Sequence, residues 1–157
     1  MSNLGVFLKS NEIKEDNLKM VVSKRYSTPL LDEKGNPILD ENGNPKVEYP
    51  VWEFRKLSPK ENRNLRTACM KEVSTGKRGQ KESKFDGELY LSKMVVLSTV
   101  YPNLNAKELW DDRGVMGAED LLDSLLTAAE YDNLALRIKE FQGYDESVEE
   151  KKEEAKN

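Results

Sequence analysis

Period-two alternation, tight-turn chemistry and a series of helix-start signals predict an α+β fold. An N-terminal antiparallel β-hairpin or meander should precede a bundle of about five α-helices. The alternation begins at Leu18, where Leu18, Met20 and Val22 share one side of an extended segment and Lys19, Val21 and Ser23 the other. The helix starts all lie beyond residue 57. Four segments are expected: an N-terminal segment (1–16), the meander (17–57), a helical bundle forming one domain with it (58–143), and a disordered acidic tail (144–157).

Within residues 1–16, Val6-Phe7-Leu8 is the one apolar cluster and is expected to dock as a short edge segment. A near-repeat follows the first strand, with Leu31-Asp-Glu-Lys-Gly-Asn-Pro37 echoed by Leu39-Asp-Glu-Asn-Gly-Asn-Pro45. Asp32 and Gly35 sit where a tight turn wants them, and Asn42-Gly43 tolerates positive φ. A calcium loop starting at Asp40 would need Gly at 45 and Glu at 51, but Pro45 and Val51 stand there. Beyond the turns, Trp52 and Phe54 alternate with Glu53 and Arg55, which returns the chain to a half-buried strand.

Ser58, Pro59 and Glu61 form a capping box with proline at the first helical position. The helix they start should place Leu65, Ala68, Cys69 and Val73 on one face. Residues 74–84 hold four basic side chains and one acid, and are expected to be a solvated loop. Thr75-Gly76-Lys77 lacks the earlier glycine and the following Ser/Thr of a phosphate loop. Asp86 then caps the most apolar helix, from Leu89 through Val100 and Tyr101, with Pro102 ending it. Asn105 with Glu108 should cap a short helix carrying Leu109 and Trp110 and stopped by Gly114. Gly117 opens another with Leu121, Leu122, Leu125 and Leu126 inward. Thr127 with Glu130 caps the last, with Tyr131, Leu134, Ile138 and Phe141 on one face and Gly143 at its end.

Composition narrows the function. The chain has 157 residues, 34% of them charged, and a net charge of −4, so it offers no global attraction to nucleic acid or anionic lipid. Met94–Leu97 is far too short to span a bilayer. The single cysteine, Cys69, excludes an internal disulfide, and on its apolar face it reads as a core residue. The sequence holds no histidine, which removes His-based triads, His metal sites and imidazole bases. No catalytic, metal or cofactor site is expected. Asp111, Asp112, Glu119 and Asp120 are the one carboxylate group that would suit a small enzyme, but acids gather naturally at helix starts. A nucleic-acid-binding accessory protein is the alternative function; it would use the basic stretch 71–84 through Lys71, Lys77, Arg78, Lys81 and Lys84.

Residues 100–145 resemble the C-terminal half of XkdN-like phage tail assembly chaperones. The matching pieces are Val100-Tyr-Pro-Asn-Leu104, Glu108-Leu109, Gly114-Val-Met-Gly-Ala-Glu119, Leu121-Leu122, Leu126-Thr127, Glu130-Tyr131 and Gly143. Upstream, Val22-Ser-Lys-Arg25, Trp52-Glu-Phe-Arg55 and the Cys69 helix follow in the same order, so the likeness covers roughly 17–144. It departs at Trp110-Asp111-Asp112-Arg113, where a more polar start before the glycine is expected. The resemblance implies a non-enzymatic factor of the host cytoplasm, absent from the mature virion, that binds the tape measure protein and keeps it soluble during tail morphogenesis. It also implies self-association and a longer frameshifted form, for which Lys151-Lys152 marks a possible slippery site. Such a chaperone needs an apolar groove for amphipathic helices and a charged exterior. Tyr101, Leu104, Leu109, Trp110, Val115 and Met116 are the candidate walls, with Trp110 and Met116 beside helix breaks.

Overall fold

The computed structural model describes residues 3–144. The acidic tail expected from 144 onward therefore lies, apart from Tyr144, outside the described residues. Strands β1 (Leu18–Val21), β2 (Thr28–Pro29), β3 (Val47–Glu48) and β4 (Val51–Phe54) come first. They are followed by α1 (Pro59–Ala68), β5 (Met70–Ser74), β6 (Lys81–Phe85), α2 (Gly87–Ser98) and β7 (Thr99–Tyr101). The chain continues with α3 (Lys107–Arg113), α4 (Ala118–Leu125) and α5 (Ala128–Gln142). Strands ahead of five helices make this the expected α+β class, with three further strands interleaved among the helices.

The central sheet is antiparallel in the order β1-β4-β7. Its third strand differs from the expected continuation of the apolar helix to Tyr101. The Ser98 and Thr99 hydroxyls bond back to the Met94 and Val95 carbonyls, each at 2.7 Å, and the Ser98 carbonyl accepts the Arg55 amide at 2.8 Å. Local hydroxyl bonds of this kind compete with helix propagation, and β-branched Thr99 and Val100 suit the strand that follows. The other face of β4 supplies Trp52 and Phe54 to a core shared with Met94 and Val95 of α2, Leu121 and Leu122 of α4, and Leu134 and Ile138 of α5.

The two octads of the near-repeat form matching turns. Gly35 and Gly43, with φ of 82° and 81°, donate their amides to the Asp32 and Asp40 carbonyls at 3.0 Å. Each aspartate Oδ1 also accepts two following amides at 2.9 Å, so the positive φ falls on Gly43 and not on Asn42. The octads close on each other through a ring of backbone bonds. Leu30 donates to Lys46, Lys46 to Ile38 and Ile38 to Leu30, at 2.8–2.9 Å.

Four further expectations change. Helix α1 has the predicted capping box but stops at Ala68, which is exposed; Cys69 caps it and is buried, and Val73 lies on β5. The expected loop 74–84 is largely the β5–β6 hairpin, five residue pairs closed by a turn in which Gly76 and Gly79 take positive φ. Alternation over Met70–Val73 was hidden there by charged residues on both faces. Helix α3 is capped by Ala106 without a side-chain bond, because Asn103 takes the Asn105 amide in a turn of its own. Near the N-terminus, Leu4–Phe7 and Lys9–Asn11 form short 3-10 turns with Phe7 exposed, not an edge strand.

Candidate partner-binding surface

Because side chains alternate along a strand, the face of β4 opposite Trp52 and Phe54 must point away from the core. There Val51 pairs with Val21 of β1, and Glu53 sits between Lys19 of β1 and Tyr101 of β7. Val21, Val51 and Tyr101 are all exposed, Tyr101 to 56%. A register shift between Glu53 and Phe54 leaves Val100 as an extra, exposed residue on β7.

A cleft of about 400 Å³ opens beside this face, lined by Tyr26, Tyr49, Pro50, Val51 and Tyr101, with Glu48 among its polar groups. Its Tyr26 wall is fixed from behind. The Tyr26 hydroxyl donates to the Leu125 carbonyl at 2.7 Å and accepts from Arg113 at 3.1 Å. Arg113 also donates to the Ser124 carbonyl, and Arg25 to the Leu125 carbonyl, so two guanidiniums and a phenol satisfy the C-terminal end of α4. Arg25 further binds Glu130, whose carboxyl is pulled down to about 2 by the Ser23 hydroxyl, the Thr127 amide and Arg25 itself. The Lys24 ammonium lies 5.8 Å above the Tyr49 ring. Rigid aromatic and apolar walls beside a few polar groups suit binding of another chain.

The six sequence-predicted walls do not converge on one groove. Tyr101 lines the sheet-side cleft. Leu104 is 3% exposed and belongs to the core, so in this fold it is no groove wall. Leu109, Trp110 and Val115 are half-buried and pack against that core, with the Trp110 indole donating to the Leu104 carbonyl at 2.7 Å. Met116 stands out between α3 and α4, 92% exposed. The indole needed a partner because its polar edge faces inward, which removes Trp110 from the expected pair of exposed anchors. Tyr26, Tyr49 and Val51 were missed; alternation with Trp52 was the signal that placed Val51 outward.

The competing chemistries are dispersed. Asp111 pairs with Lys107 at 3.0 Å and Glu119 with Lys93 at 3.1 Å. Among the described residues no group of three or more Cys, Asp or Glu side chains is placed to hold a metal ion. In the basic stretch Lys71 binds Asp86 at 2.5 Å and Lys81 lies 3.7 Å from Glu72, so two of the five cations face acids. Lys77 and Arg78 occupy the hairpin turn, and Lys84 stands opposite Lys71. Cys69 is buried, and burial pushes its thiol pKa up. No helix among the described residues is long and apolar enough to cross a membrane.

Residues 4–156 match the family described as Phage XkdN-like tail assembly chaperone protein. The chain belongs to this family. A relative of this tail assembly chaperone family member is the uncharacterized protein YqbN of Bacillus subtilis (strain 168), 26% identical over 159 residues, covering 99% of this chain and 93% of YqbN. The crystal structure of the protein YqbN has the same fold, with a TM-score of 0.65 at 20% sequence identity, covering 92% of this chain and 99% of that one. Family membership places the chain among chaperone-type phage proteins.

Proposed function

We propose that the protein is a phage or prophage tail assembly chaperone that binds the tape measure protein and keeps it soluble during tail morphogenesis. The observation that carries this is the family match across residues 4–156. The physics supports it. A long helical partner awaiting polymerisation exposes apolar seams that aggregate, and a chaperone must offer apolar surface in return. The outer sheet face supplies such surface through Val21, Val51 and Tyr101, and Met116 offers a flexible, polarizable side chain apart from it. Leu109, Trp110 and Val115 are half-buried against the core and hold α3 in place. The work takes place in the host cytoplasm, with the chaperone absent from the mature virion. Self-association and a frameshifted longer form belong to the same proposal, and a slippery heptamer near the 3′ end of the gene is the signature to seek for the latter.

Co-expression with the tape measure protein encoded nearby, followed by pull-down and a solubility assay, tests the proposal. A soluble complex that weakens in Tyr101→Ala or Met116→Ala, while the variants keep their melting temperature, is the expected result. A partner that stays insoluble with no complex formed overturns it. Strongly salt-dependent capture of DNA or RNA instead would move the function to the basic hairpin.

A further inference from the structure

Gly143 turns the chain as it leaves α5. With φ at 98°, its amide donates to the Glu140 carbonyl at 3.0 Å and the Tyr144 amide donates to the Lys139 carbonyl at 2.9 Å. Tyr144 is thereby laid back against α1 and α2. Its hydroxyl accepts from Asn62 at 3.0 Å, and the Asn62 carbonyl accepts from the Tyr90 hydroxyl. A cleft of about 250 Å³ lined by Leu57, Met94 and Arg63 also includes Tyr144, and so does a second of about 250 Å³ lined by Tyr90, Met94, Arg66 and Lys139. Met94 and Tyr144 are common to both, so the two form one trough. Arg63, Arg66 and Lys139 are exposed, and among the described residues none of them takes an ion-pair partner.

We propose that this trough is the docking site of the chain's own acidic segment, residues 145–157. That segment begins where Tyr144 lies in the trough and carries six acids against three lysines. The trough offers three cations around a floor of Leu57, Tyr90 and Met94, a charge complementary to that of the acidic segment. Tethering makes weak contacts sufficient, since a short linker gives an effective concentration on the order of millimolar. The docked segment is a tethered competitor, so a partner that presents an acidic, partly apolar stretch to the trough must displace it. The outer sheet face and its cleft play no part in this contact.

The test uses the full chain with a spin label on Ala155→Cys. Cys69 is buried with a raised thiol pKa, so the introduced thiol takes the label. Docking predicts loss of amide NMR intensity concentrated at residues 62–66 and 139–144. The loss should disappear in R63E/R66E/K139E and return when that variant also carries E149K/E150K/E153K/E154K. In the unaltered trough it should fade at about 1 M salt, where the screening length is roughly 3 Å. Intensity losses that ignore both the charge reversal and the salt, or that spread evenly over the surface, overturn the proposal. Losses seen only between a labelled copy and a separate isotope-enriched copy also overturn it, because the occupant is then a second chain.

Discussion

Adjacent residues of strand β4 have opposite fates. Trp52 and Phe54 are 3% and 0% exposed, whereas Val51, one position earlier, is 49% exposed. The inner side chains tie sheet to bundle, and the outer ones border an aromatic cleft. One strand thus carries stability and candidate binding on separate faces, so each can be perturbed with little effect on the other.

The largest effect expected lies on the inner face. Phe54→Ala should cost about 3–5 kcal/mol, because it removes a fully buried ring and leaves a cavity between β4 and the helices. Denaturant unfolding measures this directly. Val51→Ala should stay within about 1 kcal/mol, as suits a half-exposed position. Similar costs at the two positions would break the contrast between the faces.

Acid should act next, through two ion pairs, Arg55–Glu61 at the start of α1 and Arg25–Glu130 behind the Tyr26 wall of the cleft. Glu61 is drawn down to about 2 by Arg55 and the Ser58 amide, and Glu130 reaches about 2 as well. Both folded values lie below the ordinary 4.5, so their stabilisation is complete above pH 4.5 and disappears as pH falls toward 2. The melting temperature should therefore decline across that interval. Glu61→Gln and Glu130→Gln should each flatten the decline, and an unchanged slope in the double variant would contradict these assignments. Glu130 matters most for the cleft, since its partner Arg25 also holds the end of α4 next to Tyr26.

How far the sequence disclosed this arrangement depends on how local each signal was. Ser58–Glu61 and Thr127–Glu130 both form the anticipated capping boxes, and Gly114 and Gly143 both end helices in the left-handed conformation. These features rest on neighbours in sequence. Strand β7 does not, because its pairing with β4 was masked by an apolar run that fits a helix equally well. The hairpin from Met70 to Phe85 was obscured because both its faces are mostly solvated, which erases the alternation that marks a strand. Among the candidate walls, the exposure of Met116 was legible from the flanking Gly114 and Gly117. The burial of Leu104 was not, since it depends on how residues distant in sequence assemble into the core it joins. The cleft was least legible, as Tyr26, Tyr49 and Tyr101 come from three distant segments joined only by the fold.

Binding experiments sharpen the contrast from the outer side. The combined Val51→Asp and Tyr101→Ala variant should retain the unaltered unfolding midpoint to within about 1 kcal/mol while losing most capture of the tape measure protein. A charge at Val51 sets an unpaired carboxylate against an apolar partner, which costs more on binding than the deleted contact alone. Retained capture would clear the sheet face and leave Met116 as the better candidate. Met116→Ala should change stability least of all, within about 0.5 kcal/mol, because a side chain 92% exposed has almost no packing to lose. Its effect on capture should also be the smaller one, since a lone methionine between two short helices has no rigid aromatic neighbours to exclude water around it. If Met116→Ala instead abolished capture while the double sheet variant did not, the partner would sit at the α3–α4 junction. Strand β4 would then contribute to function only through the core on its inner side.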